Sequence, residues 1–242
     1  MLICPDCQSG KIVKNGRTHY GKQNHKCKDC NRQFVDHNQH TITEERRQDV
    51  AALLRERISL RGIARSMRVS MTWLMDFAVT QWESTPDDLG VPWEMLELID
   101  PEELQLVRLQ ADEMWSYVGR KTDKQWIWVV YWPELKQVLA YHVGGRSKQD
   151  AQQLWDKLPL DWRTNCRFET DYWEAYFATL DQEQHTASKA LTHFIEGYFS
   201  GVRARVSRLV RRGLSFSKKL TNHIAAIGYF FWHRNLANHP YI

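Results

Sequence analysis

Helical periodicity dominates the chain from residue 43 to residue 81. Apolar residues recur with a period near 3.6, and Thr43 is placed to cap a helix that runs to about Arg57. Ser59 and Ser70 are placed to cap two further helices, separated by a turn at residues 67–69. The first of these three helices has a predicted buried stripe of Val50, Leu53, Leu54 and Ile58. Residues 41–82 are therefore predicted to form a helix-turn-helix.

Strand-like patterns replace helical ones after residue 103, and helices return near the end. Ser147 is placed to cap an amphipathic helix, and a helical pattern with Ile195, Tyr198 and Val202 in its core stripe runs from Ser188 to Arg211. Four runs rich in β-branched and aromatic residues are predicted as strands: Leu104–Val118, Gln125–Tyr131, Gln137–Val143 and Cys166–Thr170. This order predicts a ribonuclease H-like α/β domain over residues 104–242, and the acidic, proline-containing residues 83–103 are predicted to be a linker.

Charge and composition narrow the function classes. The chain has 33 Lys and Arg against 29 Asp and Glu, so attraction to nucleic acid must come from local basic clusters, which occur at residues 11–32, 46–68 and 203–219. Neither an apolar run of 18 residues nor a secretory signal is found. We therefore expect a cytoplasmic, nucleoid-associated protein without a membrane partner.

Paired cysteines indicate a metal site at the N-terminus. Cys4-Pro5-Asp6-Cys7 and Cys27-Lys28-Asp29-Cys30 are separated by 19 residues, a spacing that lets four thiolates surround one structural Zn²⁺. Residues 1–40 are predicted to form a zinc ribbon with a turn at Asn15-Gly16 and strands at Lys11–Lys14, Asn24–Lys26 and Gln33–Val35. Unligated buried cysteines and a redox pair are the alternatives, and Cys166 is expected to be a plain buried thiol.

The predicted helix-turn-helix suggests how DNA would be contacted. Residues early in the last of its helices would lie nearest the bases in the major groove, and arginines around the turn would reach phosphates. The predicted base-reading residues are Met71, Thr72 and Trp73, and the predicted phosphate contacts are Arg61, Arg65 and Arg68. An ordinary helical hairpin with a solvated basic face is the alternative.

Three acids are candidates for catalytic chemistry. Asp112 lies in an apolar strand, Asp171 follows another strand, and Glu196 lies on a helix, so a sheet edge would bring them together. Carboxylates of this kind bind two divalent cations, Mg²⁺ or Mn²⁺, which cleave or join phosphodiesters. Arg203 shares a helix face with Glu196 and is placed to hold a phosphate. Glu113 and Glu169 remain alternative ligands.

Four passages together are distinctive: Cys27–Phe34, Ala111–Val118, Thr170–Tyr176, and Arg208–Arg211 with Leu214–Lys219. They resemble the transposases of the insertion sequence one family over nearly the whole chain. The resemblance implies that Asp112 and Asp171 are the two catalytic aspartates. It also implies that the third acid, after 24 intervening residues, is Glu196, and that Arg203 fills the basic position seven residues later.

The resemblance implies a DNA transposase that binds the inverted repeats at the element ends, releases a 3′ hydroxyl and transfers it into target DNA. Self-association in the DNA complex is expected. The chain departs from the family at Gly197 and Phe199, where an arginine and an asparagine are typical. These departures keep open a DNA-binding repressor with a degenerate catalytic domain, and a nuclease on the same fold is a third alternative.

Overall fold

A computed structural model describes residues 2–36, 42–209 and 217–238 of the chain. The chain divides into two compact units, Met1–Arg47 and Gln48–Ile242, each of which is described by itself. The mixed α/β class predicted from the sequence is confirmed.

The first unit contains a three-stranded antiparallel sheet. Its strands, in the order in which they pair, are β1 (Ile12–Arg17), β2 (Gln23–Cys27) and β3 (Gln33–Val35). The predicted turn at Asn15-Gly16 is wrong, because both residues lie inside β1. Gly16 instead occupies an irregularity in the pairing of β1 with β2, at a φ of +68° that glycine adopts without strain. The chain reverses between Thr18 and Lys22.

Three helices follow the small sheet along the chain. They are α1 (Glu44–Leu53), α2 (Leu60–Ser66) and α3 (Met71–Glu83). The predicted caps are confirmed, because Ser59 Oγ accepts a hydrogen bond from Gly62 N and Ser70 Oγ accepts one from Trp73 N. Helix α1 is shorter than predicted, and Ile58 lies beyond its end with 37 % of its surface exposed. Residues from all three helices form a small core: Val50, Ile63, Ala64 and Leu74.

A five-stranded mixed sheet forms the centre of the second unit, with the strand order β6-β5-β4-β7-β8. Strand β5 pairs antiparallel with both β4 and β6, whereas β7 runs parallel to both β4 and β8. The strand bounds are β4 (Arg108–Tyr117), β5 (Lys124–Trp132), β6 (Gln137–Gly144), β7 (Arg167–Thr170) and β8 (His185–Ala187). The predicted first strand began too early, because Leu104 ends a helix, and β8 was missed because it is three residues long and lacks an apolar alternation.

Helices cover both faces of this sheet. The remaining helices are α4 (Trp93–Leu96), α5 (Pro101–Leu104), α6 (Lys148–Trp155), α7 (Leu160–Asn165), α8 (Glu174–Phe177), α9 (His193–Arg205) and α10 (Leu220–Asn238), with a 3-10 helix at Ser207–Leu209. Gln110 of β4 contacts the start of α9, and Ser116 contacts α10, which places these two helices on one face. Glu113, which points to the other face, contacts α8, and α6 packs on that face through Trp155 and Phe168.

The last helical pattern was predicted too long. Helix α9 runs from His193 to Arg205, and Val206 ends it with an extended backbone, so Leu209 is buried in the following 3-10 helix. Arg211 lies outside the described residues. Among the residues that the structure describes, no helix is long and apolar enough to cross a membrane.

The acidic segment after α3 is packed against the sheet unit. Leu89, Val91 and Leu96 are buried within the main core. Helix α3 itself packs against α10 through a second apolar cluster, whose buried members are Ala78, Trp82, Ala226 and Tyr229. The recognition helix predicted from the sequence, which corresponds to α3, is therefore packed in the same compact unit as the sheet.

Candidate active site and metal centre

The four paired cysteines of the first unit converge on one point. Their sulfur atoms all lie within 4.8 Å of one another, with Cys4 Sγ 3.5 Å from Cys30 Sγ and Cys7 Sγ 3.6 Å from Cys27 Sγ. Four sulfurs about 2.3 Å from a tetrahedral Zn²⁺ would be about 3.8 Å apart. The donor set therefore fits a structural zinc ion.

Cys166 lies apart from this cluster in the core of the second unit. Burial raises the pKa of its thiol to about 12, as expected for a plain buried cysteine.

Asp112 lies at the centre of β4 on the face that contacts α9. Burial, together with the negative charges of Glu113, Asp171 and Glu196, raises its pKa to about 7. Its Oδ1 accepts a hydrogen bond of 2.8 Å from the backbone N–H of Glu113. Asp112 therefore lies close enough to the other two predicted acids to be affected by their charge.

Asp171 reaches the same edge of the sheet from the neighbouring strand. Gln110 of β4 is paired with Glu169 of β7, and because these strands are parallel, Asp112 and Asp171 follow two residues later on each chain segment. Asp171 Oδ1 accepts a hydrogen bond of 2.9 Å from Trp173 N, which fixes the turn after the strand.

Glu196 lies in the first turn of α9 and is exposed. Gln110 holds this end of the helix against the sheet, because its Oε1 accepts a 2.9 Å hydrogen bond from Ile195 N and its Nε2 donates to Leu191 O. Glu196 is thus on the same side of the sheet as Asp112. Arg203 lies two turns later in α9, on the same helix face as Glu196, and is half-buried.

The three carboxylates are near one another without forming a closed cluster. Apart from the four cysteines, residues 2–36, 42–209 and 217–238 contain no group of three potential metal ligands whose atoms all lie within 4.8 Å. Like charges hold such oxygens apart when no cation lies between them. Each aspartate still has one carboxylate oxygen that does not accept these backbone hydrogen bonds. Three hard oxygen ligands at one edge fit Mg²⁺ or Mn²⁺.

The two rival acids are engaged elsewhere. Glu113 is buried and forms an ion pair of 2.5 Å with Arg146 Nη2, while its Oε2 accepts a 2.8 Å hydrogen bond from the Tyr176 hydroxyl. Glu169 accepts a hydrogen bond of 3.1 Å from Gln110 Nε2. Both carboxylates therefore have structural partners, which leaves Asp112, Asp171 and Glu196 as the better candidate ligands.

Sequence reasoning missed two residues that shape this site, Gln110 and Arg146. Gln110 carried a usable signal, since it lies two residues before Asp112 in a strand and must share its face. Arg146 carried none, because it lies in the loop after β6, and its contact with Glu113 depends on the fold.

The predicted DNA-contacting residues fall into two groups. Arg61, Arg65, Arg68, Met71 and Thr72 are exposed. Trp73 was predicted to be exposed as well, and this is wrong. Its ring stacks on Phe77 with centroids 4.9 Å apart and packs on the small core of the three helices, because stacking on an apolar neighbour is favourable for a large ring.

The two departures from the family pattern differ in their surroundings. Phe199 is only 3 % exposed and belongs to the main core, so a phenylalanine stabilises the packing of α9. Gly197 is exposed, and a Cβ added there would meet no atom within 4 Å. Glycine at this helical position therefore costs helix stability without any steric need.

The fold and site define a class before any relative is considered: a mixed α/β protein with four clustered cysteines that could hold a metal ion and three acids near one edge of its sheet. The model of the IS1 transposase family matches residues 105–236. Three relatives of Escherichia coli (strain K12) are similar over 143 residues, 57 % of this chain and 82 % of theirs. They are the insertion element IS1 4 protein InsB, 33 % identical, and the IS1 2 and IS1 3 proteins InsB, both 32 % identical. The chain belongs to the IS1 transposase family.

Proposed function

We propose that this transposase binds the terminal inverted repeats of its element and cuts and joins DNA strands with metal ions held by Asp112, Asp171 and Glu196. The observation that carries the proposal is the approach of these acids from β4, the end of β7 and α9. Family membership supports a DNA-processing enzyme. The strand order, with three antiparallel strands followed by two parallel ones, supports a ribonuclease H-like catalytic domain over residues 104–242.

The chain's own groups have separate roles in this proposal. Asp112 and Asp171 hold the cations through the oxygens that their backbone hydrogen bonds leave available, and Glu196 completes the set from the exposed start of α9. When bound, Mg²⁺ or Mn²⁺ activates the attacking oxygen and stabilises the leaving one. Arg203, on the same helix face as Glu196, holds a phosphate of the DNA beside the acids.

DNA recognition is assigned to residues 1–82. In this proposal the cysteine cluster holds a structural Zn²⁺, and the helix-turn-helix at residues 41–82 places α3 in the major groove. The exposed guanidinium groups of α2 and its turn, on Arg61, Arg65 and Arg68, contact phosphates, while Met71 and Thr72 lie nearest the bases. Trp73 is half-buried and packs on the core of this module, which supports a structural role for its ring.

Transposition adds requirements that belong to the proposal. Two element ends must be held together before either is joined to target DNA, so the protein is expected to self-associate on DNA. It is expected to act in the cytoplasm at the nucleoid, where that DNA lies.

The test is an assay with zinc-loaded protein, Mn²⁺ or Mg²⁺ and labelled DNA that carries an element end. Nicking at the end and joining to a second DNA are expected for the unmodified chain. Asp112→Asn is expected to remove both steps, because the amide keeps the shape but loses the charge that holds the cation, and to spare end binding. Glu169→Gln is the matched control and is expected to keep most activity, since its amide oxygen can still accept the hydrogen bond from Gln110.

Two outcomes would contradict the proposal. Strand transfer at the normal rate by Asp112→Asn would exclude this site. End binding without any nicking by the unmodified chain would favour a repressor, for which the exposed glycine at position 197, beside Glu196, is the supporting observation.

A further inference from the structure

The guanidinium group of Arg146 lies between two tryptophan rings beside the candidate site. Its Cζ atom is 3.8 Å from the ring centroid of Trp173 and 4.3 Å from that of Trp126. Its Nε and Nη2 atoms both donate to Glu113 Oε1, at 2.8 and 2.5 Å. The side chain of Arg146 therefore contacts β4, β5 and the turn after β7 at the same time. Arg146 itself lies in the loop between β6 and α6.

Two of the three residues that Arg146 contacts, Glu113 and Trp173, are those that orient the two aspartates. Glu113 N donates to Asp112 Oδ1, and Trp173 N donates to Asp171 Oδ1. A continuous path of contacts thus runs from Asp112 through Glu113, Arg146 and Trp173 to Asp171. Any shift of the Trp173 turn relative to β4 would change the distance between the two aspartates.

The position of the Glu113 charge supports the same conclusion. Its carboxylate is buried on the other face of β4 but close enough for an unpaired negative charge there to raise the pKa of Asp112. Arg146 neutralises this carboxylate on one oxygen, and the Tyr176 hydroxyl donates to the other. The charge that remains at the edge of the sheet is then that of the three candidate ligands.

We infer that Arg146 is a positioning residue, which fixes the Asp171 turn against β4 so that Asp112 and Asp171 present their available oxygens at the spacing that a shared divalent cation requires. This inference rests on the proposed function, because it concerns the cations of that same site. Arg146 does not itself contact the DNA or the cations in this role. A planar group is needed, since only a guanidinium can stack between two rings while it donates twice to one carboxylate.

The test compares Arg146→Lys and Arg146→Met with a matched control, Arg163→Met. Arg163 also forms an ion pair with a carboxylate, to Asp156 at 3.0 Å, and is similarly exposed, but it lies on α7. The first measurement is the Kd for Mn²⁺, by calorimetric titration of zinc-loaded protein without DNA. Residues that orient metal ligands commonly change affinity about 10-fold to 100-fold. We expect a Kd about 10-fold higher for Arg146→Lys, a larger increase for Arg146→Met, and no change for Arg163→Met.

A second measurement separates positioning from general stability. Hydrogen exchange without Mn²⁺ is expected to become faster in peptides covering residues 168–177 of Arg146→Lys and to stay unchanged in β5 and β6. A merely stabilising residue would lower Tm and speed exchange throughout the unit, while the folded protein kept its Kd for Mn²⁺. If Arg146→Met does not fold, the measurements on Arg146→Lys distinguish the two roles, because lysine keeps the positive charge.

The failures of the two proposals are distinguishable. A wild-type Kd for Mn²⁺ in Arg146→Lys, with unchanged exchange at residues 168–177, would overturn the positioning role. Unchanged Mn²⁺ binding by Asp112→Asn would instead overturn the proposed function. In that case, hydrogen exchange at residues 168–177 would still test whether Arg146 fixes the Asp171 turn.

Discussion

The two candidate metal sites of this protein differ in how they are built. The four cysteines come from two local knuckles in a small unit, and their sulfurs already lie within 4.8 Å of one another. The three acids come from β4, the end of β7 and α9, and their oxygens are farther apart. Neutral thiols can approach without a cation, whereas ionised carboxylates repel one another. A closed site of this kind supports a fold, and an open one keeps positions for water and substrate.

The largest expected effect concerns the cysteine site. Cys30→Ser is expected to lose the zinc ion and to unfold residues 1–40, because a segment this small gains about 10 kcal/mol of folding free energy from zinc. Zinc content by atomic absorption and backbone NMR would measure this. Cys166→Ala is the control and should keep one zinc per chain. If residues 1–40 remained ordered in metal-free protein, the cysteine site would not be needed for the fold, and its contrast with the acid site would be wrong.

Asp112→Asn should have the opposite effect on stability. Its carboxyl has a pKa raised from 3.8 to about 7, so the folded chain without metal loses stability as pH rises through that window. At pH 8 the amide removes a charge that costs about 4 kcal/mol, so Tm should rise by several degrees. Strand transfer should fall about 1000-fold or more. A lower Tm for this variant in metal-free buffer would contradict the assignment of mutual repulsion.

A pH dependence of stability is expected for the second unit, whereas the first is expected to depend on zinc. Burial lowers the pKa of His223 from 6.5 to about 4, and its ring nitrogens contact Ser116 Oγ at 2.7 Å and Ser217 Oγ at 3.1 Å. A histidine with a lowered folded pKa contributes full stability above 6.5, and this is lost as pH falls toward 4. Chemical denaturation between pH 7 and pH 4 should show a loss of about 3 kcal/mol in the free energy of unfolding from this group, and the loss should be reduced in His223→Gln. An equal loss of stability in His223→Gln would contradict the assignment of this pH dependence to His223.

The smallest effects concern DNA contacts. Arg65→Ala should weaken binding to all sequences about 10-fold and reduce the salt dependence by about one phosphate contact. Thr72→Ala should change sequence preference at unchanged salt dependence. Trp73→Ala should lower Tm instead, since its ring packs on the helical core. Fluorescence anisotropy with end-bearing and unrelated DNA at several salt concentrations measures the first two. Unchanged DNA binding by Arg65→Ala would show that Arg65 of α2 does not contact DNA.

Structural features that depend on residues close together in the sequence could be predicted, whereas features that depend on distant residues could not. The helix caps at Ser59 and Ser70 were predictable because a side chain bonds to a backbone group three residues away. The position of Asp112 in a central strand followed from its apolar flanks. The strand β8 could not be found, because it is held by parallel pairing with β7 and has no apolar pattern of its own. Trp73 was misjudged for a related reason, since its partner Phe77 is visible in the sequence but the surface that both rings cover is not.

The site shows the same limit. The three acids carried a family spacing, whereas the Arg146 contact joins residues 33 positions apart and obeys no periodicity. Only the fold shows that the neighbours of both aspartates share one guanidinium. Residues that position ligands are therefore harder to predict than the ligands themselves.

The central claim is that Asp112, Asp171 and Glu196 bind one set of divalent cations. Fe²⁺ with ascorbate and peroxide tests this directly, because hydroxyl radicals formed at a bound iron cut the backbone nearby. Zinc-loaded protein is predicted to be cut near residues 112, 171 and 196 together, with protection by excess Mg²⁺ and loss of all three cuts in Asp112→Asn. Cuts near only one of these positions, or cuts unchanged in Asp112→Asn, would contradict the account.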